Sequence, residues 1–153
     1  MKKTLLAFGL IFTLCLISCN FNATNVNDES DKIDAEKVTE ELYSYIKKKD
    51  FTRAEKLFSD QFYAVTNRTG LHDIFQKTNK TLGNYEEREL LDWKTSIIVG
   101  TNSKSEYFFV YEVKYQKFKA KETIVMFKED DNVIRIISYN VSSDGFSNSE
   151  LQK

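Results

Sequence analysis

Proline is absent from this chain of 153 residues, so it holds no polyproline spacer and no proline-rich partner motif. Cysteine is almost absent: Cys15 and Cys19 are the two, both near the start. Everything after Cys19 therefore lacks a disulfide, a thiolate metal ligand and a thiol nucleophile. A single histidine, His72, excludes a metal centre built on several histidines. Charge of one sign is lacking too. Lys and Arg total 22 against 23 Asp and Glu, a net charge of −1, so no basic excess is available to follow a nucleic-acid backbone. There is no Gly-x-Ser-x-Gly elbow, no phosphate loop and no Cys–His pair. No cofactor, no metal site and no catalytic residue is expected from these patterns.

What is abundant is aromatic: twelve Phe and eight Tyr supply bulky core material. The first residues have a different character. Lys2 and Lys3 precede an apolar run from Leu5 to Ile17, which ends in Leu16-Ile17-Ser18-Cys19. The run is shorter than the roughly 20 residues that cross a bilayer core as a helix. This arrangement resembles the signal peptide of a bacterial lipoprotein. The resemblance implies export, cleavage before Cys19, and a diacylglyceryl thioether plus an amide-linked acyl chain such as palmitate on Cys19. Three tails, at about 0.8 kcal/mol per buried methylene, would hold the protein to a membrane durably. Asn20 stands where an Asp retains many lipoproteins at an inner membrane, so the periplasmic face of the outer membrane is expected in a Gram-negative cell.

The chain divides accordingly. Residues 1–18 form the signal peptide and residues 19–32, rich in Asn, Asp, Ser and Thr, a flexible tether. Residues 33–142 form one domain, and residues 143–153 a disordered tail. The domain opens with helical periodicity. Asp34 is expected to cap a first helix, with Ile33 and Val38 as a hydrophobic staple and Ala35, Val38, Leu42, Tyr45 and Ile46 on its apolar face. Lys47, Lys48 and Lys49 fall at its C-terminal end, where the macrodipole favours them. Thr52 and Glu55 form a capping box for a second helix carrying Ala54, Leu57, Phe58 and Phe62. A third runs from near Thr69 to Leu82, with Gly83 as its terminator.

Beyond Asn84 the period becomes two. Strands are expected at Glu86–Val99, Glu106–Tyr115, Lys119–Lys128 and Val133–Val141, joined by short breaks that suit antiparallel hairpins. Helices followed by a four-stranded meander predict an α+β fold, with N-terminal helices packed on one face of an antiparallel sheet. That order resembles the cystatin-like cone of nuclear-transport-factor-like domains. Leu82-Gly83, Arg88, Tyr107, Phe109, Tyr115, Phe118, Glu122-Thr123 and Ser138-Tyr139 are similar to a family of exported bacterial domains of unknown function. That family has no agreed activity to carry over, and the fold alone does not choose one.

Candidate site residues come from the strands. Glu122 alternates with Ala120, Ile124 and Met126 on an otherwise apolar face. There it is either an acid–base carboxylate, a buried ion pair with Arg88 or Lys114, or an exposed residue if Thr123, Val125 and Phe127 face the core. Tyr107, Tyr111 and Tyr115 share one face of the next strand, as pocket lining or as cross-strand packing. Trp93 alternates with Leu91, Thr95, Ile97 and Val99, either as sheet packing or as an exposed patch. Ligand contacts are thus expected from Glu122, Tyr107, Tyr111, Arg88 and Trp93, and lipid attachment at Cys19. His72 reads as a solvated helix residue. Asn22, Asn67, Asn79 and Asn140 lie in Asn-x-Ser/Thr triplets, into which no glycosylation is read.

The expected activity is that of a lipid-anchored, non-enzymatic binding or interaction domain of the cell envelope. Its partners are the membrane, through Cys19, and a small apolar ligand or an envelope protein, with dimerisation open. The alternative is a small cone-pocket enzyme of the isomerase or dehydratase type that uses Glu122. An inward Glu122 beside an empty tyrosine-lined cavity would favour the enzyme, and a filled one the binding domain.

Overall fold

The structure, a computed structural model, describes residues 22–101 and 103–150. The expected signal peptide, Cys19 and the last residues of the expected tail lie outside them. Strand β1 (Asn22–Val26) comes first, then α1 (Glu29–Lys48), α2 (Phe51–Ala54), a 3-10 turn (Glu55–Leu57), α3 (Asp60–Val65) and α4 (Arg68–Leu82). Strands β2 (Tyr85–Gly100), β3 (Lys104–Tyr115), β4 (Lys119–Lys128) and β5 (Ile134–Ser142) follow, and α5 (Asp144–Glu150) closes the described chain. The fold is α+β, with one antiparallel sheet ordered β1-β2-β3-β4-β5. The expected strands are present, their ends within two residues of the expected ones. The sheet has five strands rather than four.

The fifth strand lies in the segment expected to be a tether. Asn22 to Val26 pair with Gly100 to Ser96 along the free edge of β2. The segment has little apolar mass, but an exposed edge offers it backbone partners that side-chain composition does not reveal. Helix α1 then starts five residues before Asp34. Asp28 caps it, accepting from the Ser30 amide at 2.8 Å, while Asp34 pairs with Lys37 at 2.8 Å. Ile33, expected outside the helix as a staple, is inside it and exposed.

The buried face of α1 is Ala35, Thr39, Leu42, Tyr43 and Ile46. Val38 and Tyr45, expected there, lie half-buried at its margins. The second expected helix is broken in two. Asp50, not Thr52, caps α2 by accepting from the Arg53 amide. Phe58 is extended, and the Ser59 amide donates to the Ile136 carbonyl at 2.9 Å. Ser59 then caps α3 through its hydroxyl. Phe58 and Phe62 are both core, but not on one continuous helical face.

Helix α4 ends as expected. Gly83 has φ 95°, and a Cβ there would sit 2.9 Å from Gln116 Cβ, so only glycine fits without strain. The expected disordered tail is helical from Asp144. Gly145 is buried against Leu82 and Phe118, so close that a Cβ would meet Leu82 Cδ2 at 2.6 Å. The lack of a side chain there lets α5 dock and brings Phe146 to the edge of the core.

Three irregularities interrupt the sheet, at Glu86 and Leu91 in β2 and at Ile137 in β5. An extra residue at Leu91 shifts the β2–β3 register between Leu90 and Asp92. Arg88 and Leu90 consequently share the inner face with Trp93, Thr95 and Ile97, and Leu91 and Val99 are exposed. An extra residue at Ile137 likewise lets Ile136 and Tyr139 both face inward, three positions apart. The inner face of β3 is Tyr107, Phe109, Tyr111, Val113 and Tyr115, and that of β4 is Ala120, Glu122, Ile124 and Met126.

Candidate functional site

Glu122 points inward and is fully buried. Its place follows from alternation along β4, which presents every second residue to the helices. Three phenols close around it. Tyr115 donates to Oε1 at 2.6 Å, and Tyr43 and Tyr139 donate to Oε2 at 2.9 and 2.7 Å. No ion pair reaches Glu122 among the described residues, so neither Arg88 nor Lys114 is its partner. Lys114 instead lies at the surface, 3.1 Å from Glu86 and 3.3 Å from Glu87.

Burial raises the carboxyl above its ordinary 4.5, against the lowering effect of the three phenols. All three tyrosines are raised as well, by burial first and then by the carboxylate beside them. An isolated buried carboxylate is expensive; three charge-assisted hydrogen bonds offset part of that cost. The network is complete, since no buried side-chain polar atom lacks a partner among the described residues. The interior at Glu122 is thus filled with tyrosine rings.

One of these rings, that of Tyr43, also forms part of the wall of a surface groove. It holds about 640 Å³ between α1 and the start of β2. Glu36, Glu40, Ser44 and Lys47 line it from α1, and Tyr85, Glu86, Glu87, Arg88 and Leu90 from β2, with Tyr43 and Tyr111 between them. Tyr43 stacks on Tyr85 at 5.3 Å between centroids and meets Tyr111 edge-on at 5.6 Å. The Tyr111 hydroxyl is 2.8 Å from Thr39 Oγ1. Glu122 does not line the groove; Tyr43 belongs to both places.

Arg88 is the distinctive group. Its half-buried guanidinium lies 4.6 Å from the Tyr43 ring centre and 5.4 Å from that of Tyr111. It donates to the Tyr85 hydroxyl at 3.4 Å and has no ion pair among the described residues. The acids around it are partly engaged, Glu86 and Glu87 with Lys114 and Glu36 with Lys32. A guanidinium presents five donors in a planar fork, and this one lies over two tyrosine rings with the Tyr85 hydroxyl as an acceptor.

Three sequence candidates therefore meet: Glu122 and Tyr111 are cross-strand partners, and Arg88 lies over Tyr111. The other two do not join them. Tyr107 is buried between Thr95 and Met126 along the sheet. Trp93 is half-buried beside Phe109, with the Lys32 ammonium 5.3 Å over its ring. The residue missed was Tyr43. Its spacing of four from Thr39 and eight from Ala35 carried the signal, hidden because a threonine on a helix face reads as polar. Tyr85 and the roles of Tyr115 and Tyr139 at Glu122 depend on packing alone.

His72, in α4, is not without partners. Its Nδ1 lies 2.9 Å from Glu55 Oε1 and its Nε2 2.8 Å from the Gln76 amide, with Phe51 against the ring edge. Among the described residues no cluster of three or more His, Cys, Asp or Glu could hold a metal ion. No described helix is long and apolar enough to cross a membrane. Compared with known proteins, the chain matches no family model and no curated sequence.

Proposed function

We propose that this is a lipid-anchored binding domain of the cell envelope, held by Cys19, and that the groove beside Arg88 is its ligand site. Helices followed by an antiparallel sheet interrupted by bulges support the cystatin-like cone reading. The observation that carries the function is Arg88: a half-buried guanidinium without a carboxylate partner among the described residues, lying on tyrosine rings in a groove of about 640 Å³. A guanidinium fork suits a carboxylate. The rings of Tyr85 and Tyr43 and the side chain of Leu90 suit a flat or apolar body. The ligand class is therefore a small apolar acid.

The enzyme reading needs a carboxylate that meets substrate. Glu122 is shut behind Tyr43, with both oxygens engaged, so the carboxylate that reading relies on does not reach the groove. Saturation-transfer NMR with benzoate and benzyl alcohol tests the proposal. The wild-type protein should transfer strongly to benzoate, less to benzyl alcohol, and Arg88→Leu should transfer to neither above background. Equal transfer to both probes, unchanged by Arg88→Leu, would move the ligand site elsewhere.

A further inference from the structure

We infer that the lipid anchor holds this domain directly against the bilayer, with the β2–β3 hairpin tip on the phospholipid head groups and the Arg88 groove facing away. The inference rests on the reading of Cys19 as lipidated and adds an orientation to it. Asn20 and Phe21 alone separate Cys19 from Asn22, where β1 begins. Three residue steps reach at most about 10 Å, at roughly 3.3–3.6 Å each. A flexible leader of about thirteen residues would have spanned roughly 20 Å and let the domain tumble. The difference decides whether the protein meets lipid.

The leader is fastened from Asn22 to Asp28. Asn22 pairs with Gly100 and Val26 with Ser96. A side-chain clasp continues the edge: the Asn27 amide donates to the Thr95 carbonyl at 3.0 Å, the Thr95 amide to Asn27 Oδ1 at 3.2 Å, and the Asp28 amide to Thr95 Oγ1 at 3.2 Å. The lipid end of the leader is therefore the Gly100 end of the sheet. There the β2–β3 pair runs past β4, whose pairing stops at Ser105 and Lys128. Val99 is 60% exposed at that tip. The half-exposed Lys104 ammonium lies over the Phe127 ring and pairs with the Glu106 carboxylate at 3.4 Å. An exposed apolar side chain beside a cation suits the head-group boundary of a phospholipid surface.

The other end of the sheet faces the opposite way. Arg88 stands twelve residues along β2 from Gly100, about 35–40 Å at some 3.3 Å per strand residue. The groove would then open toward the aqueous envelope space, beyond the lipid surface, where a soluble acid can enter.

Position-specific quenching tests this. The full chain is expressed in a lipidating bacterium and reconstituted in phosphatidylethanolamine–phosphatidylglycerol vesicles containing nitroxide head-group lipid. Because Cys19 is a thioether after lipidation, Val99→Cys, Thr101→Cys and Gln116→Cys each give one reactive thiol for a fluorophore. Labels at 99 and 101 should be quenched several-fold more than a label at 116, in the β3–β4 turn. A ten-residue Gly-Ser insertion between Phe21 and Asn22 should abolish the difference. Equal quenching at all three sites, in protein whose mass shows the diacylglyceryl group, overturns the orientation and leaves the anchor standing. A free thiol at Cys19 removes the anchor itself, and the orientation with it.

Discussion

The Tyr43 hydroxyl donates to Glu122 Oε2 at 2.9 Å, joining α1 to β4 across 79 residues of sequence. This contact connects two polar features of the molecule. On one side is a buried carboxylate closed by three phenols; on the other is a groove in which the same Tyr43 ring supports Arg88. Binding in the groove and packing at Glu122 therefore share a residue, whereas the carboxylate itself stays out of reach.

Glu122 should be intolerant of truncation. Glu122→Ala leaves three buried phenols without their acceptor and opens a cavity among the rings. Each unsatisfied buried group costs about 1–3 kcal/mol, so the total should exceed about 3 kcal/mol, a value at the diagnostic end for single substitutions. Tyr115→Phe removes one donor and should cost about 1–3 kcal/mol. Urea denaturation of the two variants should rank them in that order; a neutral Glu122→Ala would refute the network as a structural element.

The pH dependence of stability carries the sign of the Glu122 shift. Burial raises its carboxyl above the ordinary 4.5 in the folded state. A raised folded value means that the folded state holds the proton more tightly. The stabilising contribution is therefore complete below about pH 4.5 and is lost as pH rises through the folded value. Asp131 acts oppositely. Arg135 holds it down to about 2, so its contribution is present above the ordinary 3.8 and lost as pH falls through about 2. Glu122→Gln should remove the first slope and leave the second. The difference in denaturation midpoint between wild type and Glu122→Gln, measured from pH 4 to 8, should move in favour of the variant as pH rises above about 4.5 and level off above the folded value.

Phe58 packs edge-on against Phe62 at 4.7 Å, Tyr139 at 6.1 Å and Phe75 at 6.2 Å between ring centres. Phe58→Ala should cost roughly 3–5 kcal/mol, as for other buried Phe truncations. His72→Ala breaks a partly exposed pair with Glu55 and should stay within about 1 kcal/mol. Thermal melts of both variants check the ranking. Equal losses would mean that the Glu55–His72–Gln76 chain holds α4 to the turn after α2 far more firmly than its exposure suggests.

Thr95 is fully buried and holds the β1 edge through its hydroxyl and backbone. Thr95→Val keeps the shape but takes the acceptor from the Asp28 amide. Hydrogen exchange should quicken at residues 24–28 while the inner strands β3 and β4 stay protected, because an edge strand opens locally before the core does. Uniform acceleration over the whole sheet would show that β1 is part of the cooperative core.

The local code of this chain was legible wherever one short-range rule acted alone. Alternation located β2 to β5, and placed Glu122 among Ala120, Ile124 and Met126, because side chains on a strand must face opposite ways. The α4 end was legible because Gly83 alone accepts its conformation there. The aromatic wealth forecast a bulky core. Tertiary structure decided the remainder. The extra residues at Leu91 and Ile137 shift the inward phase of their strands, and no local pattern announces them. Residues 22–26 become a strand only because β2 offers an unpaired edge. Phe58 leaves the helical path because the backbone at Ser59 finds the Ile136 carbonyl on β5. The site depended on such meetings most of all: Tyr43, Tyr115 and Tyr139 come from a helix and two strands, and only the packed sheet brings three phenols to one carboxylate. A hydrogen bond is satisfied by whichever group arrives at 3 Å, and sequence separation does not enter its energy.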